Sequence, residues 1–230
     1  MIKAVMFDLD GTVIGLKKAS SVVLNQFYSE NKIRFGNMEQ QEFFNNWFKA
    51  GRNSLQEFLK GSITFEEKMT TQILEFSKNS NNPLKENEAR DIFNKFSPIY
   101  EENIMLFDDV IPCLEYLTKE KYILGIITNG HISDQKAKLR RFNLESYFTI
   151  VIISGQIGFA KPSPEIFLKC INLLKLNPQE IIYIGDKLEM DVIAANKVGI
   201  RGIWLNRASE NNLDDIESIS NLNDLRNLLD

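Results

Sequence analysis

Ile2-Lys3-Ala4-Val5-Met6-Phe7-Asp8-Leu9-Asp10-Gly11-Thr12 is a mostly apolar run that ends on two carboxylates, a glycine and a hydroxyl. Residues 2–7 read as a buried strand of a parallel sheet, since both faces of such a strand are covered and its side chains need not alternate. Similar short runs rich in β-branched residues recur at 123–128, 181–184 and 202–205, with a fifth at 149–154. Helical stretches fall between them at 111–120, 132–142, 164–174 and 189–198, with Pro112 and Pro164 where a first turn tolerates proline. Strand alternating with helix from residue 105 onward predicts an α/β fold, a doubly wound (Rossmann-like), mostly parallel sheet. Residues 221–230 read as a closing amphipathic helix.

Residues 16–104 break that rhythm. They hold no good strand and repeat apolar residues at helical spacing: Val22, Val23, Phe27; Phe43, Phe44, Trp47, Phe48; Ile73, Leu74, Phe76; Ile92, Phe93, Phe96. Asn31, Gly36, Gly51, Gly61, the stretch 79–83 and Pro98 punctuate them. The division expected is a core of 1–15 and 105–230 with an α-helical cap of 16–104 inserted after the first strand. The aromatic residues of the insert read as core packing rather than as a ligand box.

The chain has 230 residues, a net charge of −4, and no basic excess to recommend a nucleic acid polymer or an anionic membrane as partner. Its apolar runs are strand-sized, far short of a spanning helix. The N-terminus enters the first strand without a charged-then-apolar leader, so a cytoplasmic location is expected. Cys113 and Cys170, the only cysteines, are 57 residues apart with no histidine near, which excludes the usual zinc spacings and predicts reduced, buried thiols. With His131 the only histidine, the available chemistry is that of carboxylates and lysine.

Four pieces end predicted strands and would meet in one crevice. Asp8 and Asp10 place two carboxylates past the first strand, where they repel unless a cation compensates, and hard oxygen ligands select magnesium; an Asx turn with solvated carboxylates is the alternative. Thr128-Asn129-Gly130 offers a hydroxyl and backbone N–H donors to an anion, or is an ordinary turn. Lys161 precedes Pro162, which keeps it extended, and Ser163 caps the helix begun by Pro164, so that the ammonium is aimed at one spot; the alternative is a surface lysine in a loop. Asp186 ends an apolar strand as Asp8 does and would supply a further oxygen ligand. Asp191, five residues on, would orient Lys161 or a metal-bound water, or serve as a carboxylate at a helix N-terminus.

Asp8-Leu9-Asp10-Gly11-Thr12, Thr128-Asn129, Lys161-Pro162 and Gly185-Asp186 with Asp191 resemble, in order and spacing, the four motifs of the haloacid dehalogenase-like hydrolases. The helical insert is similar in place and size to the cap of one large subgroup. Thr128-Asn129-Gly130 and Trp204-Leu205-Asn206 resemble the pyrimidine 5′-nucleotidase and N-acylneuraminate-9-phosphatase relatives. The resemblance implies a phosphatase acting on a small phosphorylated metabolite, as a monomer or small homo-oligomer. Asp8 would be the nucleophile that forms an aspartyl-phosphate, and Asp10 the general acid and base. Magnesium would be bound by the Asp8 side chain, the Asp10 carbonyl and Asp186; Thr128, Asn129 and Lys161 would hold the phosphoryl oxygens. A nucleotidase and a β-phosphoglucomutase-like mutase share these motifs. A 2-haloacid dehalogenase lacks the second aspartate and needs no metal, so Asp10 argues against it. Lys187 departs from the small or polar residue the family more often has there; a cation beside the metal site would weaken magnesium binding or reach substrate, and the expectation is that it points to solvent. Asn46, Lys49 and Arg52, near a predicted helix end in the cap, are candidates to reach a polar leaving group.

Overall fold

The computed structural model describes residues 1–78, 80, 82–208 and 215–229. The chain runs through β1 (Ala4–Phe7) and β2 (Ile14–Gly15) into α1 (Lys17–Asn31), α2 (Gln40–Ala50), α3 (Arg52–Lys60), α4 (Phe65–Ser77) and α5 (Glu86–Asn103). It returns through β3 (Met105–Leu106), α6 (Val110–Lys119), β4 (Ile123–Thr128), α7 (Ile132–Arg141), β5 (Ile150–Ile153), α8 (Ser154–Ile157) and α9 (Pro164–Leu174). It closes with β6 (Ile181–Gly185), a π-helix (Leu188–Ile193) that continues as α10 (Ala194–Lys197), β7 (Arg201–Leu205), β8 (Ser218–Ile219) and α11 (Leu225–Leu229).

The main sheet has the order β5-β4-β1-β6-β7-β8, with every pairing parallel. Period-two alternation splits β1 between two cores. Val5 and Phe7 pack with Leu114, Leu117 and Leu139 of α6 and α7, whereas Ala4 and Met6 pack with Ile166, Phe167 and Cys170 of α9. Both strand faces are thus buried, which is why the strands read as continuous apolar runs. Cys113 and Cys170 are free and buried. Phe7 pairs in register with Ile126 of β4 and Ile184 of β6, so Asp8 emerges where the chain's path switches from one side of β1 to the other. Ligand crevices of doubly wound sheets form at that place.

Helices α1–α5 carry a separate aromatic cluster. Phe27 lies 5.6 Å from Phe43, 5.1 Å from Trp47 and 5.7 Å from Phe96, ring centroid to centroid, in tilted and edge-on contacts. Such geometry adds to the burial of each ring. A Thr64–Glu67 capping box starts α4. Among the described residues, no helix is long and apolar enough to cross a membrane.

Several local expectations are corrected. The short antiparallel β2–β3 pair and the edge strand β8 have two residues per strand, too few for a period to register in the sequence. Pro98 lies inside α5 rather than ending a helix, since one missing N–H removes a single bond while buried Phe96 and half-buried Ile99 keep the helix docked. The segment read as a helix over 189–198 opens as a π-helix. The tail is a 3₁₀ turn (Leu222–Asp224) followed by α11; Asp230, like Asn79 and Asn81 in the stretch 79–83, lies outside the described residues.

Candidate active site

Lys161 is the hub. Its Nζ donates to Asp8 Oδ1 (2.6 Å), Asp191 Oδ1 (2.7 Å) and the Tyr183 hydroxyl (2.8 Å), and the residue is 5% exposed. Asn129 fixes its backbone: the amide Nδ2 donates to the Lys161 carbonyl (2.9 Å) and Oδ1 accepts from the Lys161 N–H (2.8 Å). The peptide bond to Pro162 is cis. Ser163 occupies the N-cap position of α9 but makes no cap bond to the backbone, because its hydroxyl turns to the Glu165 carboxylate instead. The lysine is therefore held by Asn129 and by the carboxylates, not by a helix cap.

Asp191 is buried on the π-helix, whose wide turn faces the sheet. Its Oδ1 takes Lys161 and the Tyr183 hydroxyl, and its Oδ2 takes the Lys187 backbone N–H (2.9 Å). A side chain so fully used orients Lys161. Tyr183, in the middle of β6, also donates toward the Ile127 carbonyl (3.0 Å). Burial, followed by the charges of Asp191 and Asp8, raises the Tyr183 hydroxyl well above its ordinary pKa, so it stays protonated. Burial alone would lower the Lys161 amine, but Asp191 and Asp8 overturn this and raise it, so it stays an ammonium. Asp8 is pushed up to about 8 by burial, against Lys161 and reinforced by Asp191 and Asp186. Asp186 is raised by burial, with Lys187 opposing.

One carboxylate oxygen from each of Asp8, Asp186 and Asp191 lies within 4.8 Å of the others. Asp8 and Asp191 share the buried Lys161 ammonium, and Asp186 has only the largely exposed Lys187 beside it. Asp186 Oδ1 is buried with no hydrogen-bond partner, an anionic oxygen that calls for a hard cation. Asp191 accepts bonds on both oxygens, and Asp8 takes Lys161 on Oδ1 and the Thr12 hydroxyl on Oδ2 (3.3 Å), so Asp186 Oδ1 is the one carboxylate oxygen of the three without a partner. Lys187 does not simply face solvent: its side chain is 59% exposed, yet Nζ reaches Asp186 Oδ2 at 2.8 Å. Gly11, at φ +100°, backs onto this group, and a Cβ there would stand 2.5 Å from Asp186 Oδ2. Gly11→Ala is expected to cost about 1–2 kcal/mol from the backbone alone, and more once Asp186 is displaced; urea unfolding measures it.

Asp8 and Asp10 leave the strand together but take separate counter-charges. The Asp10 carboxylate turns to α7, where Lys138 Nζ donates to both oxygens (2.6 and 2.8 Å) and Gln135 Nε2 to Oδ2 (3.1 Å). Gln135 also donates to Thr128 Oγ1 (2.7 Å) and the Asn129 carbonyl (2.9 Å), tying Asp10 to the end of β4. Sequence reading did not reach Lys138, Gln135 and Tyr183; the first two lie one helical turn apart on α7, a spacing visible only once Asp10 is known to face that helix.

Helices α3 and α4 close over this corner. Gly130 N–H donates to Ser154 Oγ (2.9 Å), whose hydroxyl donates to the Leu59 carbonyl (2.8 Å), and Phe65 N–H donates to Asp134 Oδ2 (2.7 Å). Asn46 and Lys49 instead line a surface depression with Phe35, Met38 and Glu75 that shares no residue with the carboxylate cluster, and Arg52 is exposed.

The model of the haloacid dehalogenase-like hydrolase family matches residues 5–205. The glyceraldehyde 3-phosphate phosphatase of Pyrococcus furiosus is 30% identical over 93% of this chain and 84% of that protein. The N-acylneuraminate-9-phosphatase of Mus musculus is 33% identical over 46% of this chain and 43% of its own length. Where relatives align only over that shorter stretch of 108 residues, the chain spans less than half of their length. The crystal structure of a HAD phosphatase from Thermococcus onnurineus superposes with a TM-score of 0.71 at 28% identity, covering 99% of this chain and 98% of that one. A family model spanning both carboxylate loops and Lys161 agrees with the geometry, and the chain belongs to the haloacid dehalogenase-like hydrolases.

Proposed function

We propose that the protein is a magnesium-dependent phosphatase of small phosphate monoesters that works through an aspartyl-phosphate on Asp8. It is a phosphoric monoester hydrolase of the cytoplasm, acting on a phosphorylated metabolite as a monomer or small homo-oligomer. The observation that carries this reading is the buried Asp8–Lys161–Asp191 arrangement facing the unpartnered Asp186 oxygen, with Asp10 held apart by its own lysine.

In the proposed reaction an Asp8 carboxylate oxygen attacks phosphorus in line, and the bond from phosphorus to the ester oxygen breaks. The electron pair leaves with that oxygen, which takes a proton from Asp10. Asp10 then removes a proton from water, the water oxygen attacks phosphorus, and the acyl-phosphate bond breaks to free inorganic phosphate and restore Asp8. Lys161, the Thr128 hydroxyl and the Asn129 backbone N–H neutralise and hold the phosphoryl oxygens. Magnesium, which Asp8, Asp186 and the Asp10 carbonyl would hold, supplies charge neutralisation. Uncatalysed monoester hydrolysis is so slow that accelerations reach about 10²¹-fold, hence all these elements must act together. Helices α1–α5 act as the cap that excludes water and touches the leaving group.

Purified protein with magnesium is expected to release phosphate from p-nitrophenyl phosphate and from some member of a panel of nucleotides, sugar phosphates and acylneuraminate phosphates. No release from any of them would end this reading, and isomerised sugar phosphate in place of free phosphate would make the protein a mutase. Lys138 acts as a positioning residue for Asp10. Lys138→Met is expected to lower kcat about 10²-fold, the lower end of what general acid–base groups contribute, with KM changed little. Lys138→Arg should recover part of the loss, and an unchanged kcat would separate Lys138 from the reaction.

A further inference from the structure

A cavity of about 180 Å³ opens among α1, α2, α4 and α5, walled by Trp47, Phe65, Phe93 and Tyr100. An apolar cavity of about 150 Å³ already admits a benzene ring, so this one takes a ring-sized group. One side chain contradicts its apolar walls. Lys68 of α4 lines it, and its ammonium meets Gln72 Oε1 (2.6 Å) and the weakly accepting sulfur of Met69 (3.4 Å). Gln72 is 2% exposed and is itself locked by donating to the Trp47 carbonyl (2.9 Å). Among the described residues no carboxylate is paired with Lys68, and burial lowers its amine to about 8, which still leaves it charged at neutral pH. A cation partly desolvated and offered only a neutral acceptor is costly unless an anion arrives.

The cavity shares no residue with the carboxylate cluster, but two of its lining residues, Phe65 and Tyr100, lead toward Asp10. Phe65 and Tyr100 stack there, 5.0 Å between centroids, and the Phe65 N–H is bonded to Asp134, the neighbour of the Gln135 that touches Asp10. Burial, then the negative charge of Asp10, raises the Tyr100 hydroxyl, so Asp10 acts on the cavity's edge. Asp10 is where the proposed mechanism protonates the leaving alcohol.

We infer that this cavity receives the leaving group, and that Lys68 selects alcohols whose ring-sized apolar body carries a carboxylate or another anion. The inference rests on the phosphatase reading for its place in the reaction, but the binding chemistry stands by itself. Phenylacetate, benzyl alcohol and acetate separate the two requirements, since they offer ring with anion, ring alone and anion alone. Wild-type protein is expected to bind phenylacetate about 10-fold or more tightly than either of the others, the scale of one charge-assisted hydrogen bond, as read by ligand-observed NMR. Lys68→Met should erase the preference over benzyl alcohol while melting at the wild-type temperature or above it, because a partly desolvated charge without a carboxylate partner has been removed. Lys68→Arg should keep the preference.

Wild-type protein that binds phenylacetate no better than benzyl alcohol would overturn the inference without recourse to any variant, and so would a preference that survives in Lys68→Met. Turnover of p-nitrophenyl phosphate by the same preparation separates the two readings. Turnover without anion selection refutes only the pocket, and selection with no release from p-nitrophenyl phosphate or from any member of the panel refutes only the phosphatase.

Discussion

Asp8→Asn is expected to lower phosphate release by about 10⁴-fold or more, as loss of a covalent nucleophile does elsewhere, while the fold persists. The amide keeps the shape of the side chain but cannot attack phosphorus. Its effect on stability has a definite sign. Burial and like charges raise Asp8 from 3.8 to about 8, so between those values the folded state holds a proton that the unfolded state has released. Without metal, this group therefore makes the wild-type protein less stable as pH rises from about 4 to about 8. Asparagine has no such titration. With a chelator present, the melting temperature of Asp8→Asn relative to wild type should climb across that window. Thermal melts at several pH values check this, and a variant that falls below wild type as pH rises would show that the Asp8 charge stabilises the fold.

Lys161→Met is expected to be the most destabilising single change in the site. It leaves Asp8 and Asp191 buried without their shared cation, and breaking a buried ion pair from one side costs about 3–5 kcal/mol. The Tyr183 hydroxyl and the Asn129 amide remain, but neither carries positive charge. The deficit should shrink as pH falls, because protonation removes the charges left uncompensated. It should also shrink on adding magnesium, if Asp8 and Asp186 hold the ion as proposed. Urea unfolding at two pH values measures the first effect, and a deficit that grows on acidification would contradict it. Turnover should be lost as well, since Lys161 is the ammonium bonded to the Asp8 carboxylate.

Much of this was legible in the sequence, for a physical reason. Strands buried on both faces are written as unbroken apolar runs, and polar residues that end such runs have few structural reasons to stand there. Asp8, Thr128 and Asp186 could therefore be singled out as candidates one strand at a time, and Lys161 by the proline after it. What could not be read depends on distant residues meeting. Asn129 spends its side chain on the Lys161 backbone, 32 positions away. Lys138 meets Asp10 across 128 positions, and no local pattern marks it. Asn46, Lys49 and Arg52 drew attention as polar residues near a helix end, yet α3 and α4 meet the strand-end loops through the Leu59 carbonyl and the Phe65 N–H. Lys68 faces the cavity, hidden in the sequence among the ordinary polar residues of α4.

Acid quenching during turnover, followed by peptide mass analysis, tests the account most directly. A peptide containing Asp8, heavier by one phosphoryl group and returned to its original mass by mild base, is the predicted result. Steady turnover with Asp8 unmodified, or with the phosphoryl group on any other residue, would contradict it.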